Sequence, residues 1–354
     1  TPSIRHIFGN SSFLAFVHGF APNIANFWRT PRLMIVTLTP NPSIDATIAL
    51  DSPLTPGTVH RAASMTNAAG GKGINVAHAV TLAGKTAVAV IPAAENDPFI
   101  SLVNDINVDI STVEIAENIR TNTTVTETSG RTTKLNGKGP AVDSQAQSQL
   151  IDATCHAAAN ASWVVMAGSL PNAVPVDFYV TVINALRKSA PQVKIALDTS
   201  DKPMEEIAKN LSTAAPDLIK PNGLELGQLV GEDGLALEAA AEGGDYSGVI
   251  AAARKVNAQG VGYVLVTLGA AGALLVTETG AWIASPPPIE VASTVGAGDS
   301  SLAGFLLAQE AGNDLAESLR YSVAYGSAAT SLPGTTIPTP DMLNLAETNV
   351  RQLN

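Results

Sequence analysis

The sequence is punctuated by short runs of β-branched and aliphatic residues bounded by turn residues. They are Met34 to Leu38 (MIVTL), Thr86 to Ile91 (TAVAVI), Trp163 to Ala167 (WVVMA), Val193 to Leu197 (VKIAL), Leu218 to Lys220 and Tyr263 to Leu268 (YVLVTL). A strand that is apolar at both parities has no solvent face, so it belongs inside a sheet covered on both sides. Helical patterns, including 177–188, 203–210 and 247–258, separate most of these runs, and Ile74 to Ala83 forms another, rich in small residues. Such alternation predicts an α/β fold with a mainly parallel sheet.

Two stretches depart from this rhythm. Thr123 to Thr128 and Thr132 to Leu135 are β-branched and polar, joined by Ser129-Gly130-Arg131, which predicts an exposed hairpin. Residues 44–66 are extended and turn-rich. Together these segments, 44–66 and 119–137, are expected to form a small sheet standing off the main domain as a lid. Residues 1–33 carry +3 of a net −11, leaving −14 on the rest. They are expected to be an atypical extension, disordered or a start-site artefact, with one domain running over 34–354. The acidic balance and the lack of a basic block argue against nucleic-acid and anionic-membrane partners. One cysteine, Cys155, excludes a disulfide framework and suits the cytoplasm.

Four local patterns carry chemistry. In Ser293-Thr294-Val295-Gly296-Ala297-Gly298-Asp299-Ser300 a glycine pair opens a helix, where backbone N–H groups converge on an anion. Asp299 then stands in the first turn, placed to take a proton from a hydroxyl attacking a phosphoryl group. The plain alternative is a packing Gly-Ala-Gly with a capping aspartate. Ala69-Gly70-Gly71-Lys72-Gly73-Ile74-Asn75 combines a second glycine-flanked helix start with an amide and a cation, suited to a polyol and a phosphate. It has neither the P-loop spacing nor the last glycine of the dinucleotide fingerprint. Lys220-Pro221-Asn222-Gly223-Leu224-Glu225 sets Asn222 and Glu225 three apart at a helix start. They suit a hydrated Mg²⁺ on nucleotide phosphates, or simply a capping box. Asp45 follows the first strand, where open α/β sheets place ligand groups, although aspartate there is commonly a turn residue.

In order along the chain these motifs resemble the PfkB/ribokinase-like carbohydrate kinases, over residues 34 to about 345. The nearest likeness is to the hexose-phosphate branch. It is carried by Thr39-Pro40-Asn41-Pro42-Ser43-Ile44-Asp45, Gly70 to Ala77, Gly168-Ser169-Leu170-Pro171, Lys220-Pro221-Asn222 and Ser293 to Asp299. The resemblance implies a Rossmann-type three-layer core, a β-sheet lid that pairs two copies, and ATP with Mg²⁺ as phosphoryl donor. The implied reaction phosphorylates a ketohexose phosphate: fructose 1-phosphate to the 1,6-bisphosphate, or otherwise tagatose 6-phosphate or fructose 6-phosphate. A catalytically silent sugar-phosphate sensor is the remaining alternative.

Residue by residue, Asp299 matches the catalytic base, and Gly296, Ala297 and Gly298 the anion hole. Asp45, Gly70, Gly71 and Asn75 match sugar-binding positions. Lys72 beside the glycines, with Arg120, Asn122 and Lys134 at the hairpin, are the candidates for holding the sugar's phosphate. Lys220 is assigned to the nucleotide side, with Asn222 and Glu225 associated with the metal through water. Thr267, Gly269 and Gly272 resemble the nucleotide loop, and Gly326 and Ser327 the adenine side. Ser301-Leu302-Ala303-Gly304 departs from the usual pattern and is expected to alter packing.

Overall fold

The computed structural model describes residues 34–353, so the expectations for residues 1–33 lie outside it. The chain opens with β1 (Met34–Leu38), leaves for β2 (Ser43–Leu50) and β3 (Ser64–Gly70), and returns through α1 (Lys72–Leu82) to β4 (Thr86–Ala93). Then come α2 (Pro98–Asp105), β5 (Asp109–Glu114), β6 (Arg120–Glu127) and β7 (Thr132–Asn136). The middle of the chain alternates: α3 (Ser144–Ala158), β8 (Trp163–Ala167), α4 (Phe178–Ser189), β9 (Lys194–Asp198), α5 (Asp201–Asn210) and β10 (Leu218–Ile219). Three short helices follow, α6 (Gly223–Val230), α7 (Gly234–Glu242) and α8 (Ser247–Asn257), before β11 (Tyr263–Thr267), β12 (Ala273–Val276) and β13 (Ala281–Ser285). Helices α9 (Ala297–Glu310) and α10 (Leu315–Thr330) and strand β14 (Asn349–Leu353) complete the fold.

Ten strands form one sheet in the order β14-β13-β12-β11-β10-β9-β8-β1-β4-β5. In that sheet β11, β10, β9, β8, β1, β4 and β5 run parallel; β12, β13 and β14 add an antiparallel edge. All five residues of β8 are buried, as the absence of a polar parity in WVVMA required. Each parity feeds its own core. Val36, Leu38, Val164, Met166, Ile195 and Leu197 pack with Leu150, Tyr179, Ile183 and Met204 of α3, α4 and α5. Ile35, Ala89, Trp163, Val165 and Leu265 pack with Ile74 and Val76 of α1, Phe99 of α2, Phe305 of α9 and Tyr325 of α10. The result is the expected three-layer arrangement.

The remaining strands make a separate sheet in the order β3-β2-β6-β7. Its polar, β-branched strands are half-exposed in β2 and β6 and mostly exposed in β7, which is why they read differently from the main sheet. Among the described residues no helix is long and apolar enough to cross a membrane.

Candidate functional site

Parallel sheets gather the C-terminal ends of their strands and the N-termini of the following helices at one edge. Asp198 ends β9, Lys220 directly follows β10, Lys72 opens α1 and Asp299 lies in the first turn of α9. These four meet. Asp198, fully buried, takes the Lys72 ammonium on Oδ1 at 2.6 Å and the Lys220 ammonium on Oδ2 at 3.0 Å. Burial favours the neutral form of this carboxyl, but Lys220 and Lys72 hold it below the usual carboxylate range. Lys72 answers in kind: burial favours the free amine, yet Asp198 and Asp299 raise its affinity for the proton.

Asn75, one turn into α1, donates from Nδ2 to Asp299 Oδ2 at 2.7 Å. Asp299 is itself buried, and burial followed by the negative charge of Asp198 pushes its carboxyl up to about 6. Lys72, the Asn75 hydrogen bond and Lys220 pull the other way. Helix α9 starts from Gly296 at φ 79°, a left-handed cap that glycine adopts without strain, and the first N–H groups of the helix follow it. A side chain at Gly298 would stand 3.2 Å from Lys220 Nζ, so that ammonium overhangs the same helix start.

Asn222 and Glu225 form a capping box: Glu225 N–H donates to Asn222 Oδ1 at 2.8 Å, and Asn222 N–H to Glu225 Oε2 at 2.9 Å. Each thus commits one oxygen to the cap of α6, the plainer of the two sequence expectations. Burial raises the Glu225 carboxyl against the Asn222 backbone bond; Lys72, Asp198 and Lys220 are all near enough to act on it. Beside the cluster lies a cavity of about 580 Å³ lined by Thr267, Gly269, Gly272, Gly298, Gly326 and Ser327, together with apolar Pro286, Ile289 and Val323. Ser301 also lines it and is tied to Ser322 of α10, Oγ to Oγ, at 2.8 Å.

The small sheet supplies the other wall. Asp45 lies within β2, on the small sheet and not at the end of a main-sheet strand, in register with Asn122 of β6 and through it with Asn136 of β7. The next row on that face is Thr47, Thr124 and Lys134. Asp45 Oδ1 accepts from Ser43 Oγ at 2.8 Å and from Asn122 Nδ2 at 3.2 Å. Burial raises its carboxyl; Ser43, Asn122, Arg120 and Lys134 oppose that. Any side chain at Gly70 would collide with this carboxylate, so Gly70 is a matter of space. Gly71 caps α1 at φ 118°. Arg120 and Asn122 sit inside the first hairpin strand, β6. Arg120 is half-buried, with Nη2 on the Asn41 carbonyl at 3.2 Å, whereas Lys134 is exposed.

The residue sequence reasoning missed is Asp198, at the heart of the cluster. Its one signal was position: a carboxylate ending the apolar run KIAL of a parallel strand.

The site thus brings together a helix start with uncommitted N–H groups, a buried carboxylate in its first turn and two ammonium groups that share Asp198. The model of the pfkB family carbohydrate kinases matches residues 38–342. The chain is similar to the 1-phosphofructokinase of Rhodobacter capsulatus, 34% identical over 320 residues, covering 88% of this chain and 95% of that one. It is also similar to the ATP-dependent 6-phosphofructokinase isozyme 2 of Mycobacterium tuberculosis, 32% identical over 313 residues and 87% of each. The crystal structure of phosphofructokinase-2 from Escherichia coli in complex with substrates and products superposes with a TM-score of 0.76 at 31% identity, covering 88% of this chain and 97% of that one. The chain belongs to the pfkB family of carbohydrate kinases, phosphotransferases that act on an alcohol group and take the phosphoryl group from ATP.

Proposed function

We propose that the protein phosphorylates fructose 1-phosphate with ATP, giving fructose 1,6-bisphosphate. The observation that carries this reading is the meeting of Asn75, from the glycine-flanked helix start, with Asp299, from the anion-binding one. A sugar hydroxyl held by the first is within reach of the second. Near neutral pH a carboxylate with a pKa near 6 is mostly ionised yet basic enough to take the hydroxyl proton. The hydroxyl oxygen then bonds to the γ-phosphorus as the bond from that phosphorus to the β–γ bridging oxygen breaks, and ADP departs. The N–H groups following Gly296 and the Lys220 ammonium steady the charge on the transferring group. The nucleotide occupies the cavity lined by Thr267, Gly269, Gly272, Gly326 and Ser327.

Among the described residues no three His, Cys, Asp or Glu side chains converge on a metal position. The second carboxylate oxygen of Glu225, with Asn222 beside it, would hold a hydrated Mg²⁺ shared with the phosphates. When bound, the ion would offset phosphate charge. Asp45, Asn122 and Gly71 hold sugar hydroxyls, and Lys72, Arg120 and Lys134 face the phosphate already on the sugar. The small sheet acts as a lid. Its outer face exposes Met65 and Leu135, which supports a homodimer formed through the lid. The single cysteine, Cys155, fits a cytoplasmic enzyme.

The likeness to a 1-phosphofructokinase supports fructose 1-phosphate, and the comparable likeness to a 6-phosphofructokinase keeps fructose 6-phosphate as the second reading. Measuring ADP release with fructose 1-phosphate, fructose 6-phosphate and tagatose 6-phosphate decides between them. The highest kcat/KM is expected for fructose 1-phosphate. A higher value for either other sugar overturns that choice, and binding without turnover makes the protein a sensor.

A further inference from the structure

The segment Gly168-Ser169-Leu170-Pro171 has no part in the reaction described above, yet its backbone is held with unusual care. Gly168 leaves β8 at φ 104°, and its N–H donates to the Asp198 carbonyl at 2.9 Å. Its own carbonyl accepts two hydroxyls, Tyr179 Oη at 2.8 Å from α4 and Thr199 Oγ1 at 2.9 Å from the residue after Asp198. Both donor residues are 0% exposed.

A trans peptide sets its C=O and N–H on opposite sides. Pinning the Gly168 carbonyl toward Tyr179 and Thr199 therefore turns the Ser169 N–H away from those buried hydroxyls, and Ser169 itself is exposed. No acceptor among the described residues meets that N–H. Ser169 Oγ accepts from Asn41 Nδ2 at 3.1 Å, which leaves its hydroxyl hydrogen free to donate. The Asn41 backbone carbonyl in turn holds the Arg120 guanidinium, whose buried Nε has no partner. An amide, a hydroxyl and a guanidinium thus adjoin with donor capacity unspent, and the ligand chemistry they share is an anion's oxygens.

We propose that Tyr179, with Thr199, is a positioning residue of the sugar-phosphate pocket. It fixes the Gly168–Ser169 peptide so that the Ser169 N–H and hydroxyl face the phosphate of the substrate beside Arg120. The proposal rests on the fructose-phosphate reading given above. A hydroxyl that merely satisfied a buried carbonyl would, when lost, lower stability and move all kinetic constants together. A positioning role moves one of them.

The test measures KM for fructose 1-phosphate and for ATP in Tyr179→Phe, Thr199→Val and Thr199→Ser, with melting temperatures and the wild type alongside. Tyr179→Phe and Thr199→Val are each expected to raise KM for the sugar phosphate three- to tenfold, the effect of one hydrogen bond. KM for ATP stays within twofold, and Thr199→Ser, which keeps the hydroxyl, restores the wild-type value. Unchanged sugar-phosphate KM in both variants, or equal rises for sugar phosphate and ATP, overturns the proposal. Should Tyr179→Phe fail to fold, Thr199→Val and Thr199→Ser decide the matter by the same criteria. A wild type that turns over the fructose phosphates beside unaltered variants overturns this inference alone. A wild type inactive on all of them overturns the substrate reading and this inference with it.

Discussion

The two walls of the site are built on different physical terms. On the main-sheet side Asp198, Lys220 and Asp299 are buried and the charges mutually committed: Asp198 is shared by Lys220 and the half-buried Lys72, and Asp299 is bonded to Asn75. On the small-sheet side Asp45 is half-buried, Arg120 leans on backbone carbonyls, and Lys134 stands in solvent. A buried ion pair is weak evidence for net stability but is costly to break, because removing one partner strands the other. An exposed charge contributes little until a ligand arrives to desolvate it. On the proposed reading the main-sheet wall is set by its own ion pairs, whereas the lid wall is expected to be completed by substrate.

The sharpest break of this contrast is Asp299→Asn, which keeps size and the Asn75 contact but removes the base. Turnover is expected to fall ~10²–10⁴-fold, with both substrates still binding by calorimetry. Activity near wild type would take Asp299 out of the proton transfer. Asp198→Ala comes next. It leaves Lys72 and the 4%-exposed Lys220 without their counter-charge and is expected to cost about 3–5 kcal/mol in urea unfolding. A loss below about 1 kcal/mol would mean that water reaches the cluster.

On the lid, Arg120→Ala is expected to weaken fructose 1-phosphate binding by about 1.5–3 kcal/mol through KM, with KM for ATP unmoved. Lys134→Ala should act in the same sense but less, being exposed. Lys72→Met belongs to both walls: it should raise the sugar-phosphate KM and also lower the melting temperature. The reverse ranking of Arg120 and Lys134 would relocate the phosphate toward the hairpin tip.

The smallest effect is the dependence on pH. With the Asp299 pKa raised to about 6, kcat should fall about tenfold per unit well below that pH as the base protonates. The folded state binds this proton more tightly than the unfolded chain does. Between the unfolded value near 3.8 and about 6, the contribution of this group to stability therefore falls as pH rises. Acidification from pH 7 to 5 should cost activity while this group favours folding, and the Asp299→Asn variant should lose both trends. A kcat profile flat to pH 5 would place the base elsewhere.

How much of this was legible follows from the same division. Main-sheet strands declared themselves because burial on both faces leaves no polar parity, as in WVVMA. Strand β5, DISTVE, lies at the sheet edge with three exposed residues, and its polarity hid it. The glycine-flanked helix starts were legible because a positive φ or a close backbone approach restricts the residue type, as at Gly296 and Gly70. The pairing of Asp198 with Lys72 and Lys220 was not. It joins residues 126 positions apart in the first case, and no local pattern encodes a contact between the end of one strand and the start of a distant helix. Asp45 fell within the segment expected to join the small sheet, but its pairing with Asn122 and Asn136 follows only from the register of the strands.

The sharing of one buried carboxylate by two ammonium groups also bears on ionic strength. Mobile ions screen exposed charges over about 8–10 Å at moderate salt but reach buried pairs far less. The Asp198 cluster therefore keeps its field in concentrated electrolyte, whereas Lys134 does not. Strong brine is therefore expected to weaken the Lys134 share of sugar-phosphate binding while the Asp198 cluster is little affected.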